Sequence, residues 1–129
     1  MSTFHGGCFC GAIRYHFSEP VAASVNCHCT MCRKTSAAPF VSWLVVATEQ
    51  FGYDAGEPTV LKSSEHGTRY FCDHCGSPLV CVNDTHPEWV DITLGSLDDP
   101  EQFPPSRDVH DDTRLSWVQG FPEPASGNA

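Results

Sequence analysis

Eight cysteines are the residues of this 129-residue chain whose type and spacing can do chemistry. Seven fall into tight groups: Cys8 with Cys10, then Cys27, Cys29 and Cys32, then Cys72 with Cys75. Two thiolates one or two residues apart can turn toward one metal ion, and zinc takes four soft ligands in a tetrahedron. Gly76, directly after Cys75, marks a knuckle, because a glycine lets backbone amides approach a ligating sulfur. Cys8, Cys10, Cys72 and Cys75 can thus combine into one closed, structural site. Cys27, Cys29 and Cys32 are then a three-thiolate set, one ligand short, and an open fourth position is how catalytic zinc is commonly held.

Spacing leaves other arrangements open. A histidine from among His5, His28, His66, His74 and His110 can close the second set. The same three thiols can stand without metal as a redox-sensitive cluster. Disulfides would need an oxidising compartment. Cys81, in the run Leu79-Val80-Cys81-Val82, reads as a buried free thiol. Arg33 and Lys34 follow Cys32 and are placed to keep thiolates deprotonated or to receive an anionic substrate, with Arg14 and Arg69 as further candidates. His28 and His74 neighbour ligands, but the sequence identifies no general acid or base.

Short strands must position these groups. Ile13, Tyr15 and Phe17 alternate with polar residues, and residues 40–47, 59–63, 68–71, 79–82 and 89–94 are rich in β-branched and aromatic types. Brief helices are expected at 30–37 and around 100–103, with Asp98 available to cap the latter. Trp43, Trp89 and Trp117 read as core or pocket wall. The expectation is a mainly β domain over residues 4–120, its loops secured by metal, followed by a loose tail at 121–129.

Seven Lys and Arg against sixteen Asp and Glu give a net charge of −9, which disfavours nucleic acid and anionic lipid as partners. An apolar share of 40% argues against disorder. No run approaches the roughly 18 apolar residues of a membrane helix. The first residues lack the pattern of a secretory leader, so a cytoplasmic protein is expected.

Several segments together resemble the glutathione-dependent formaldehyde-activating enzyme family, which is also the domain of centromere protein V. They are Gly7-Cys8-Phe9-Cys10-Gly11-Ala12-Ile13-Arg14-Tyr15, Cys27-His28-Cys29-Thr30-Met31-Cys32-Arg33-Lys34 with Pro39-Phe40, Arg69-Tyr70-Phe71-Cys72-Asp73-His74-Cys75-Gly76-Ser77-Pro78-Leu79, and Gly95-Ser96-Leu97-Asp98-Asp99-Pro100. The resemblance implies an Mss4-like fold of short coiled antiparallel sheets held by zinc knuckles. It implies two zincs per chain, a structural one on Cys8, Cys10, Cys72 and Cys75 and a catalytic one on Cys27, Cys29 and Cys32. It also implies a carbon-sulfur lyase that joins glutathione and formaldehyde to S-hydroxymethylglutathione or reverses that step. Ala37 departs from the glycine, and Met31 from the polar residue, that the family usually carries. The competing expectation is a non-catalytic zinc-stabilised interaction module.

Overall fold

The structure is a computed structural model that describes residues 2–122. Residues 123–129, most of the expected tail, lie outside the described residues, although the N–H of Phe121 is still bound, donating to Asp108 Oδ2 at 2.6 Å. Among the described residues there are ten strands, one α-helix and short 3₁₀ turns. The strands are β1 (Thr3–Gly7), β2 (Arg14–Ser18), β3 (Val21–Cys27), β4 (Val41–Ala47), β5 (Phe51–Ala55), β6 (Thr59–Lys62), β7 (Gly67–Phe71), β8 (Pro78–Asn83), β9 (Trp89–Thr93) and β10 (Arg107–Val109). The helix α1 is Thr30–Ser36.

The mainly β expectation holds. Each strand foreseen from alternation or from β-branched and aromatic content is present within a residue or two, whereas β1, β3, β5 and β10 carried too weak a pattern. In β1 the pattern fails for a packing reason: the ring of Tyr15 lies across Gly6, where a Cβ would stand 2.2 Å from its hydroxyl. The helix expected around residue 100 is a single 3₁₀ turn, Pro100–Gln102. Asp98 does not cap it but pairs with Arg14.

Two sheets form. The smaller has the order β1-β2-β5, the larger β10-β3-β4-β9-β8-β7-β6. All pairings are antiparallel except that of β10 with β3, which is parallel and departs from the all-antiparallel expectation. The main core lies between the sheets. Tyr15 and Phe17 from β2 meet Leu44 and Val46 from β4, Leu79 and Val80 from β8 and Ile92 from β9. Full burial of each aliphatic side chain contributes about 1.5–3 kcal/mol. Because side chains alternate along a strand, the same sheet turns Trp43 the other way, into a second cluster with Val25, Cys27 and Cys32.

Candidate metal centres

The turn between β1 and β2 presents Cys8 and Cys10, and the β7–β8 turn presents Cys72 and Cys75. Each turn ends on a glycine in the left-handed region, Gly11 at φ 82° and Gly76 at φ 83°, which a side chain would strain. The Gly76 N–H closes its turn on the Cys72 carbonyl at 2.7 Å, and the Phe9 N–H reaches across to Ser77 Oγ at 3.0 Å. One Sγ from each residue lies within 4.8 Å of all the others. Cys8 and Cys10 are 3.6 Å apart and Cys10 and Cys72 3.7 Å. A tetrahedron with Zn–S bonds of about 2.3 Å has edges of about 3.8 Å, so this donor set fits zinc. The Ser77 hydroxyl and N–H hold the Cys75 thiol down to about 5, favouring the ligating thiolate. A metal held here would fasten the small sheet to the large one.

Cys27 ends β3, Cys29 caps α1 and Cys32 sits in its first turn. The Cys32 N–H donates to Cys29 Sγ at 3.2 Å, so one cysteine both caps the helix and offers its sulfur. The three Sγ atoms lie within 4.8 Å of one another, with Cys27 and Cys32 at 3.5 Å. Among the described residues no fourth ligand group stands equally close, so three corners of a tetrahedron are supplied. Sharing a proton with Cys27 holds Cys32 well below the usual thiol range, against burial, and the Arg69 guanidinium adds to this by donating from Nη2 at 3.6 Å.

A cleft of about 230 Å³ opens on these three sulfurs. Its floor is set by strand register. Arg69 on β7 pairs with Cys81 on β8, and Cys81 pairs with Asp91 on β9, so the three side chains form a row on one face of the sheet. Their neighbours Val80 and Ile92 point into the core behind. Arg69 also lies over the Trp43 ring at 5.9 Å and donates to Ser63 and Thr35. Burial pushes the Asp91 carboxyl up to about 6 and the Cys81 thiol up to about 11.

The sequence placed Arg33 and Lys34 nearest the thiols, but both line a different cleft with Leu115 and Trp117. Successive helical residues point about 100° apart, so adjacency to Cys32 does not bring a side chain to its sulfur. Arg69 takes that place from a distant strand. Of the tryptophans expected as core or pocket wall, Trp43 is buried, Trp117 is 72% exposed but lines the cleft of Arg33 and Lys34, and Trp89 is exposed on β9. Cys81 is a free thiol, half-buried, and faces the second cysteine cluster.

His28 points away from the sulfurs. It is 1% exposed, and its Nε2 is bonded to Asp108 at 2.7 Å. Its backbone is held by the same segment: the His28 N–H donates to Val109 O at 3.1 Å, and Thr113 Oγ1 donates to His28 O at 2.7 Å. The segment 108–113 therefore clamps the Cys27–Cys29 loop. His5 lies beside Asp54, His66 bonds Asp84 and His74 is exposed on its knuckle, leaving His110 as the candidate histidine that lines the cleft.

Fold and sites together define a mainly β protein with two cysteine clusters able to hold metal ions. A profile of the glutathione-dependent formaldehyde-activating enzyme family matches residues 3–112, and the chain belongs to that family. It is 29% identical over 124 residues to a Halomonas elongata protein carrying the provisional name glutathione-dependent formaldehyde-activating enzyme, covering 88% of this chain and 78% of that one. A crystal structure of a Rhodobacter sphaeroides protein superposes with a TM-score of 0.63 at 19% identity, covering 73% of this chain and 87% of that one. That likeness supports the Mss4-like fold.

Proposed function

We propose that the chain is a zinc-dependent enzyme of the carbon-sulfur lyase type, joining glutathione to formaldehyde to give S-hydroxymethylglutathione or cleaving that adduct. The observation that carries this reading is the three-thiolate set of Cys27, Cys29 and Cys32 opening on a cleft that also holds a cation and a carboxylate. Zinc on these sulfurs would lower the pKa of a thiol entering the open position and keep it a thiolate. Cys8, Cys10, Cys72 and Cys75 would carry the structural zinc, making two per chain. The domain would run over residues 4–120, and a reducing cytoplasm would keep its thiols available.

Chain residues account for the rest. Arg69 stabilises negative charge on sulfur from within a site of low dielectric. The buried Trp43 forms an apolar wall beside it, and Met31 lines the cleft toward solvent. The cleft is smaller than the roughly 300–1,000 Å³ of pockets that enclose a drug-sized ligand. It therefore suits the sulfur end of a thiol and a one-carbon carbonyl, with the remainder of glutathione on the rim.

The test is zinc per chain by native mass spectrometry, followed by steady-state assay of adduct formation and cleavage. Two zincs with multiple turnovers, and loss of turnover in Cys29→Ser with the fold intact, are expected. No turnover above the metal-free background would favour a zinc-stabilised interaction module instead.

A further inference from the structure

Joining a thiol to a carbonyl moves one proton from sulfur to oxygen, and the site needs a group to carry it. We propose that Asp91 is that group. The assignment rests on reading the second centre as one that joins a thiol and a carbonyl.

The candidates within the cleft are few. Arg69 stays protonated and cannot accept. His28 is turned away and bound to Asp108. His110 stands at the exposed end of the wall. Asp91 lines the cleft together with Cys27, Cys29 and Cys32, on a strand whose next residue, Ile92, is fully buried and fixes the direction of the carboxylate. It is also free to exchange a proton. Asp84, Asp98, Asp108 and Asp111 are each paired with a histidine or arginine, but among the described residues no ion pair engages Asp91.

The groups that face it set its acidity. Cys81 on β8 and Arg69 on β7 lie in its own row, β4 offers only Val45, and Cys27, Cys29, Cys32 and His110 complete the walls. Burial and the negative charge of Cys32 raise the carboxyl, and Arg69 opposes them, leaving it at about 6. Burial, the largest of these causes, is independent of the metal and makes the carboxylate a better proton acceptor than an exposed one.

In the forward direction the S–H bond breaks and its proton passes to the Asp91 carboxylate. The sulfur lone pair forms the C–S bond as the carbonyl π pair moves onto oxygen. That oxygen then takes the proton from Asp91, giving the hydroxymethyl thioether and restoring the carboxylate. Nothing is oxidised or reduced. Cleavage runs the same steps backwards and also begins from the carboxylate, so activity in both directions falls as pH drops through the titration of Asp91.

The experiment compares the zinc-loaded wild type with Asp91→Asn and Asp91→Glu, using glutathione and formaldehyde. The amide keeps the shape and cannot shuttle a proton. The expected result for Asp91→Asn is unchanged zinc content and melting temperature, a roughly 100-fold or greater fall in kcat, and loss of the acid limb of the wild-type pH profile; Asp91→Glu recovers part of the rate. An independent readout is carbon-13 carboxyl NMR of the loaded wild type, in which Asp91 titrates above the ordinary carboxylate range. Retained kcat and pH profile in Asp91→Asn, loss of zinc from that variant, or a carboxyl titrating near 4 would each overturn the assignment while leaving the function standing. A wild type that turns over no thiol and carbonyl removes the function and the assignment together.

Discussion

Arg69 Nη2 lies 3.6 Å from Cys32 Sγ, joining a strand in the middle of the chain to the first turn of the helix 37 residues earlier. The guanidinium is held on three sides, by Trp43, Ser63 and Thr35, so it meets the sulfur already oriented. Lysine offers no such planar fork.

Arg69→Lys and Arg69→Met should therefore weaken metal retention at the second centre by about 10–100-fold and leave the first centre loaded. Chelator competition followed by native mass spectrometry reads this directly, as one zinc leaving early and the other late. Equal loss from both centres would contradict the separate roles of the clusters.

The two cysteine sets should fail differently. Cys72 is 2% exposed and belongs to the core between the sheets. Cys72→Ser should abolish cooperative unfolding or lower the melting temperature sharply, since a structural zinc contributes folding free energy outright. Cys29→Ser should leave the circular dichroism spectrum native and remove one zinc per chain. Thermal melts with and without chelator distinguish the two.

Ala37 ends α1 at φ 56°, in the left-handed region that favours glycine. Alanine there has a conformational cost, about 1 kcal/mol for an L-residue with a Cβ. Ala37→Gly should raise stability by no more than about 0.5 kcal/mol, since the greater flexibility of glycine in the unfolded chain offsets much of the gain. Urea melts at matched zinc loading measure it.

Asp108 gives the fold a pH dependence. Burial opposes its charge, but hydrogen bonds from His28 and the Phe121 N–H, with the charge of Arg114, hold its carboxyl below the usual range. A depressed carboxyl contributes stability above its unfolded value, and this is lost as pH falls through the folded one. Wild type should exceed Asp108→Asn in stability at pH 6, and the gap should narrow below about pH 4. Chemical denaturation across pH 3–7 tests the sign.

Much of the site was legible as spacing. The pairs at Cys8 and Cys10 and at Cys72 and Cys75 sit on knuckles whose glycines show in the sequence, and the structure brings those four sulfurs together. Strand alternation exposed Tyr15 and Phe17 as core residues, and both are fully buried. The neighbourhood of the second centre was not legible in this way. Sequence adjacency favoured Arg33 and Lys34, yet helical rotation carries them to another cleft. It also left the direction of His28 open, which the parallel pairing of β10 with β3 settles by setting Asp108 beside it.

From the sequence alone came the cysteine sets, the mainly β class and the resemblance to the family, because ligand spacing and strand alternation are local properties of the chain. The row of Arg69, Cys81 and Asp91 was decided by tertiary structure alone. Three strands must pair in one register for those residues to stand side by side, and a slip of one residue would turn each to the opposite face. That register is fixed by Val80 and Ile92 burying themselves in the core behind, so the chemistry of the cleft is set by packing on the other side of the sheet.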